Sequence, residues 1–218
     1  NGYYINGFDV TNIRNFLSFA NLPFDAIAET QVKTGGYGAE FGRSLGGVVS
    51  IVTKRGTNAW QSGVSTYWRP SWGNAPGRDV ASRDPQRIGT ANDKFVYRSD
   101  NVGTRFSYNL WSGGPLVEDK LFAFGLVQGR DDSDDLYGNT KSERRERDTP
   151  NGMVKLDWNI TDAHVAEVTG IFNKARQTTD YYDNPAGALN TGQHGSFVNR
   201  TTLESGGKVF IGKYTGYL

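Results

Sequence analysis

The sequence of 218 residues contains no cysteine, which excludes disulfide bonds, thiolate nucleophiles and cysteine-ligated metals. It also lacks any run of about 18 apolar residues, so no transmembrane helix is expected. Neither sign of charge dominates, since 24 Lys and Arg residues balance 23 Asp and Glu residues. This balance gives no general attraction to nucleic acid. A membrane-spanning β-barrel remains possible, because its strands need only alternate between apolar and polar residues.

What the sequence has in abundance is glycine, with 28 residues, and aromatic side chains, at 13% of the chain. Glycine costs about 1 kcal/mol relative to alanine inside a helix, whereas aromatic residues suit strands. We therefore predict a mainly β protein. The acidic run at 131–135 and the mixed charges at 143–147 are both interpreted as solvated loops.

The first third of the chain has its own pattern. Apolar residues at helical spacing predict a short helix over residues 11–20, which Pro23 would end. Strands are predicted at 28–34 and 48–53, on either side of a glycine-rich passage.

After residue 59 the pattern changes to longer strands. Six are predicted, at 60–70, 103–113, 121–130, 153–160, 164–176 and 208–218. Their connections, of about 32, 7, 22, 3 and 31 residues, alternate roughly between long and short, which is typical of outer-membrane barrels.

Side-chain alternation and tryptophan placement support the barrel. Residues 154, 156, 158 and 160 are apolar and residues 155, 157 and 159 are polar, as lipid and lumen require of the two faces. Trp60, Trp111 and Trp158 fall near one set of strand ends, and Trp68 and Trp72 fall near the other. Two such bands suit the two membrane interfaces, although five tryptophans in a soluble core are an alternative.

Six strands cannot close a membrane barrel, which needs about eight or more. An open sheet of six would leave two edges unpaired in lipid. We therefore expect the sequence to be a fragment of a longer chain.

Four segments resemble one known family in the right order. Residues 31–58, which include YGAEFGR and TKRGTN, resemble the plug-to-barrel junction of TonB-dependent receptors, and within them the Oar-like branch. YINGFDV at 4–10 is similar to an earlier plug segment of that branch, although aspartate is more usual than Asn6. GGPLVEDKLF at 113–122 and KLDWNIT at 155–161 resemble the first two periplasmic turns.

The resemblance implies that residues 1–58 are the C-terminal part of an α/β plug domain. Residues 59–218 would be the first six strands of a transmembrane β-barrel, typically of twenty-two strands, in the bacterial outer membrane. Such a receptor takes up a scarce ligand and draws energy from the TonB complex of the inner membrane, through a plug segment that precedes this sequence. Its other partners would be outer-membrane lipid, lipopolysaccharide and an unidentified ligand or protein.

Candidate site residues follow from the same resemblance and from the loops. Glu40 and Arg43 would be enclosed by the barrel, where charges need partners, and the family implies contact with the barrel wall. A local surface pair between them is the alternative. Trp72, Tyr181, Tyr182 and Phe197 are candidates for ligand binding, with loop self-packing as their alternative.

Other chemistry has weaker support. Gly42 to Gly46 match the G-x-S-x-G pattern of serine hydrolases around Ser44, with His164 and His194 downstream, but a strand-forming run follows instead of a helix. We predict no enzyme activity, no cofactor and no metal site. An outer-membrane conduit or scaffold for a protein partner is the main alternative to a transporter, and a soluble hydrolase is a remote one.

Overall fold

The computed structural model describes residues 2–12, 22–36, 38, 41, 44, 46–86, 94–138, 141–184 and 192–217. The helix predicted at 11–20 lies largely outside these residues. Among the described residues, no helix has the length and apolar character needed to cross a membrane. Strands predominate, and most of them belong to a small sheet and a large sheet.

The small sheet is formed by the first third of the chain. Its four strands run in the order β2-β1-β4-β3, with bounds β1 Gly2–Ile5, β2 Phe8–Asp9, β3 Ile27–Lys33 and β4 Val48–Thr53. Asn6 and Gly7 join β1 to β2 with φ values of 51° and 82°, the left-handed geometry that a two-residue hairpin needs. The two strands predicted from sequence are confirmed as β3 and β4.

The large sheet is antiparallel and curls into a half-barrel. Its nine strands are β5 Gln61–Arg69, β8 Val102–Val117, β9 Leu121–Tyr137, β10 Lys141–Asp148, β11 Asn151–Thr161, β12 His164–Phe172, β13 Ala175–Asp183, β14 Phe197–Ser205 and β15 Lys208–Gly216. A hairpin of β6 Val80–Ala81 and β7 Lys94–Val96 lies in the connection between β5 and β8. This arrangement fits a fragment of a β-barrel.

Six of the nine strands combine into three composite strands, β10–β11, β12–β13 and β14–β15. The first half of β9 pairs with β11 and its second half pairs with β10. The register is the same in both halves, so β10 and β11 together act as one strand beside β9. β12 and β13 likewise pair with β15 and β14 without a slip in register along the break. The large sheet therefore contains six strand paths, as predicted.

The breaks in the three composite strands lie side by side. They fall at residues 149–150, 173–174 and 206–207, which we call the interruption row. Pro150 has no backbone N–H to donate, and Gly206 adopts a φ of 81° that other residues rarely accept. The interruption row divides the composite strands into a lower half (β11, β12 and β15) and an upper half (β10, β13 and β14).

The extents predicted for several strands were wrong. The charged runs at 131–135 and 143–147 are not loops, because they lie in β9 and β10 and pair with each other. The connections expected at 131–152 and 177–207 contain the end of β9, all of β10, most of β13 and all of β14. Both faces of these upper strands are mostly polar, so the regular apolar alternation on which the prediction relied is absent there.

Candidate functional site

The small sheet packs against one face of the large sheet, which we call the inner face. The cluster of buried apolar side chains joins both sheets, with Ile5, Val10 and Ala26 on one side and Phe124, Leu126, Met153, Ile171 and Ile211 on the other. Burying side chains of this size contributes on the order of 1.5–3 kcal/mol each. The contact therefore holds the small sheet against the lower half of the large one.

Polar contacts surround this apolar patch. Asn6 donates from Nδ2 to Thr53 Oγ1 at 2.9 Å within the small sheet and to Thr169 Oγ1 of β12 at 3.3 Å. The ammonium group of Lys54 lies 5.0 Å from the ring centre of Trp111. Trp111 thus lies on the inner face, whereas the two tryptophan bands predicted from the sequence would lie on the outer face, at the membrane interfaces.

Buried charges lie below the apolar patch on the inner face. Lys155, whose side chain is 4% exposed, has its Nζ 3.3 Å from Asp157 Oδ1 and 3.4 Å from Glu167 Oε2. Lys213 approaches Glu167 from the next strand at 3.5 Å. Two cations and two carboxylates thus neutralise one another, which buried charges require.

The outer face of the lower half is apolar. Alternate residues of β11 point away from the small sheet, and Val154, Leu156, Trp158 and Ile160 are all substantially exposed. Val168 and Phe210 continue this band on β12 and β15. The strands of the lower half have 9 to 11 residues, the length that a tilted strand needs to span a bilayer.

The outer face of the upper half is charged. Arg200 donates to Asp180 through two hydrogen bonds of 2.5 and 2.7 Å, and Arg144 donates to Asp135 at 2.8 Å. The hydrogen bonds from Arg200 lower the pKa of Asp180 below its usual range. Burial raises the pKa of Asp135, but hydrogen bonds from Arg144 and then His194 outweigh it and the net shift is downward.

The structure separates the predicted ligand-binding aromatics. Tyr182 packs against Phe197 with ring centres 5.9 Å apart, and Tyr181 points to the opposite face of β13. Trp72 lies in the turn Ser71–Gly73 after β5 and packs edge-on against Trp68. Three strands separate β5 from β13, a distance of roughly 19 Å at the usual strand spacing.

His194 was not predicted as part of this group. Its ring lies between Tyr137 and Tyr182, with ring centres 5.0 and 4.5 Å away. Its Nδ1 is 2.8 Å from Ser142 Oγ and its Nε2 is 3.0 Å from Asp135 Oδ1. The turn that carries His194 is thereby held against the outer face of the upper half.

The remaining predicted site residues have different outcomes. Glu40 and Arg43 lie outside the described residues, so their contact with the wall stays a prediction. The Ser44 hydroxyl donates to the carbonyl of Gly47, and the strand β4 follows where a hydrolase would have a helix. His164 contacts Tyr214 of the large sheet. Among the described residues, no group of three or more metal-ligating side chains is found.

Together, these features define a segment of a β-barrel with a lipid-compatible outer band and a separate small sheet seated against its inner face. The chain is 27% identical over 211 residues to the TonB-dependent transporter Oar of Myxococcus xanthus. The match covers 95% of this chain but 19% of that protein, so the chain spans about a fifth of its relative. No protein-family model matches the chain, and no solved structure does so significantly. The similarity supports, at the broadest level, a TonB-dependent receptor family, whose members are outer-membrane proteins.

Proposed function

We propose that this chain is part of an outer-membrane TonB-dependent receptor of the Oar-like branch, which imports a ligand through a plugged β-barrel. Residues 1–58 form the end of the plug and residues 59–218 the first six barrel strands. The observation that carries the proposal is the small sheet packed against the inner face of a half-barrel whose outer face is apolar. The similarity to a TonB-dependent transporter is independent support.

In this proposal, the ligand is captured on the side of the upper half. The TonB complex then pulls on the plug, and the plug rearranges. The contacts between the sheets suit a displaceable plug, because a limited apolar patch is edged by single hydrogen bonds such as Asn6 to Thr169. Glu40 and Arg43 would add contacts with the wall. The side chains Tyr181, Tyr182, Phe197 and Trp72 would contribute to capture at separate points.

The apolar band is proposed to face outer-membrane lipid. Lys174 lies in the interruption row and pairs with Glu204, and Lys208 lies next to the row, opposite Phe172, with its ammonium group 5.8 Å from the centre of that ring. Cations at this height suit the phosphate groups of lipopolysaccharide. The relative's name also favours a transporter over an enzyme.

A conduit or scaffold for a protein partner is the second candidate. It is favoured by the upper half, which continues the sheet beyond the apolar band and exposes charged side chains there. A protein that co-purifies with the full-length receptor, and is lost when the outer-face charges of β10 and β14 are replaced, would favour this candidate over import of a small ligand.

The test of import links the two sheets by a disulfide. The full-length receptor is given the substitutions Asn6→Cys and Thr169→Cys, whose side chains already touch across the sheets. If transport needs the plug to rearrange, oxidation should abolish the phenotype that depends on the receptor and on TonB. Reduction should restore it.

A matched control links two barrel strands instead. Ser62→Cys and Ser112→Cys replace hydroxyls 2.8 Å apart on the outer faces of β5 and β8. Oxidation of this pair should leave the phenotype intact. Equal function of both oxidised proteins, or a phenotype that persists without TonB, would contradict the proposal.

A further inference from the structure

A row of polar side chains crosses the inner face at a single height. Ser65, Asn109, Gln128 and Asn151 lie directly opposite one another on β5, β8, β9 and β11. Each is hydrogen-bonded to the next, at 2.9, 2.6 and 2.8 Å in that order. At the near end, Ser65 Oγ is 2.5 Å from Asp25 Oδ2 in the turn Phe24–Ala26, which precedes β3 of the small sheet. We call this row the amide ladder.

The carboxylate of Asp25 gives the amide ladder a direction. A carboxylate only accepts hydrogen bonds, so Ser65 donates its proton to Asp25 and must accept from the NH₂ group of Asn109. The carbonyl oxygen of Asn109 then accepts from Gln128, and that of Gln128 accepts from Asn151. Every amide is therefore oriented by its neighbour, and this also fixes which atom of the last amide is left over at the far end of the amide ladder.

That atom is the carbonyl oxygen of Asn151. Within the described part of the chain, Asn151 Oδ1 is buried and has no hydrogen-bond partner. A buried acceptor without a partner costs on the order of 1–3 kcal/mol, so such atoms in folded proteins call for a ligand, ion or water. The amide ladder thus ends on an acceptor that needs a donor.

Asn151 lines a cavity of about 460 Å³ at the interruption row. Four other polar side chains line it, Asn12, Thr149, Asn173 and Ser205, and backbone is exposed at Gly206 and Gly207. The volume lies within the range of small-molecule sites. Lys208 is the charged residue among those lining the cavity, and its ammonium group lies over the ring of Phe172.

We infer that this cavity binds a neutral, polyhydroxylated ligand such as an oligosaccharide, whose hydroxyl donates to Asn151 Oδ1. A hydroxyl both donates and accepts, so it matches a lining of amides and hydroxyls better than a charged group does. The amide ladder presents the Asn151 oxygen to the ligand and links its position to Asp25, in the turn that leads into the small sheet. The inference rests on the proposed function and deepens it by naming a ligand class.

The experiment measures the binding of glucose, galactose, trehalose and maltotriose to the purified full-length receptor by saturation-transfer NMR. At least one sugar should bind the wild type. Asn151→Leu, or Asn151→Ala if the larger side chain is not tolerated, should weaken that binding about tenfold, the effect of one lost hydrogen bond. Asn199→Leu replaces an asparagine of β14 outside the cavity and should bind as the wild type does.

A remote substitution tests the role of the amide ladder. Asp25→Asn can donate as well as accept, so it removes the reason for Asn151 to present its oxygen to the cavity. Sugar binding should fall severalfold, although Asp25 contacts the ladder at Ser65, which lies three strand spacings, about 14 Å, from Asn151. Unchanged hydrogen exchange in β3 and β4 would show that the small sheet is still folded.

Binding of none of the four sugars, or equal binding by the Asn151 variants and the wild type, would overturn the inference. Wild-type affinity in Asp25→Asn would overturn the directing role of the ladder. These failures differ from failure of the proposed function, because the oxidised Asn6→Cys and Thr169→Cys receptor tests that function without any added sugar.

Discussion

The lower and upper halves of the large sheet have the same backbone arrangement but very different outer faces. Register continues unchanged through the interruption row, as in the pairing of β9 with β10 and β11. Below the row, the exposed outer residues include Val154, Leu156 and Phe210. Above it, the outer face carries ion pairs such as Arg200 with Asp180.

Strand pairing therefore does not determine which side chains the outer face carries, and the proposed contact of the lower half with lipid would account for the difference. A lipid-facing position excludes charge, whereas a strand with water on both sides accepts it. The interruption row would then mark the level at which the large sheet leaves the lipid. Four predictions test this comparison.

The largest contrast is expected in chemical labelling. The 218 residues contain no cysteine, so in a full-length receptor with any other cysteine replaced by serine, Val168→Cys in the lower half and Thr202→Cys in the upper half each add one thiol on the outer face. In intact cells, a charged maleimide should label the Thr202 variant and leave the Val168 variant unlabelled. Both should react after denaturation in detergent. Equal labelling of the two variants in cells would contradict a lipid boundary at the interruption row.

A charge placed in the apolar band should be the most destabilising substitution. Val154→Arg puts a cation near the middle of the band, which costs about 3 kcal/mol in lipid-facing positions. Thr202→Arg, on the outer face of the upper half, should have no comparable effect. Urea unfolding of the receptor in lipid vesicles measures both, and similar losses of stability would contradict the comparison.

Met153 adjoins Val154 in sequence but points to the inner face, where it is fully buried against the small sheet. Met153→Ala should leave a cavity and cost about 2 kcal/mol. The loss should appear as faster hydrogen exchange in β1 and β4. Leu156→Ala, which truncates an outward-facing side chain, serves as the control and should leave exchange in the small sheet unchanged.

The same comparison explains which parts of the fold could be predicted from the sequence. The lower half was predicted because apolar and polar residues alternate strictly there, as at residues 154–160. β10, with the sequence KSERRERD, has no apolar face, so its strand character is set by pairing with β9 and β13. A pattern of apolar residues along one strand does not show which other strands pair with it.

The candidate site was harder to foresee for a related reason. The alternation at residues 154–160 already placed Lys155 on the polar face. Nothing local shows that Asn109 lies opposite Ser65 and Gln128, because that match depends on the register of three strands. The resemblance located the junction of the two sheets, but the contacts between them are tertiary.

The smallest effect is expected at the ion pair of Asp180 and Arg200, in the exposed part of the upper half. Hydrogen bonds from Arg200 hold the pKa of Asp180 below its value of about 3.9 in an unfolded chain. Asp180 therefore stabilises the pairing of β13 with β14 fully above that unfolded value, and this contribution is lost as the pH falls through the lowered pKa.

Hydrogen exchange of β14 measures this loss, after correction for the intrinsic effect of pH on exchange. Protection should decline on acidification below about pH 4 in the wild type. Asp180→Asn should lower protection slightly at neutral pH and remove most of the acid dependence, since the amide does not titrate there. High salt should also weaken the pair, because the side chain of Arg200 is 60% exposed to water. In the lower half, β15 pairs with β12 beneath an apolar outer face that has no such pair, so its protection should not respond to the Asp180 substitution. If protection in β15 falls together with protection in β14, the two halves unfold as one unit. The interruption row would then separate two chemically different outer faces, but not two regions of different stability.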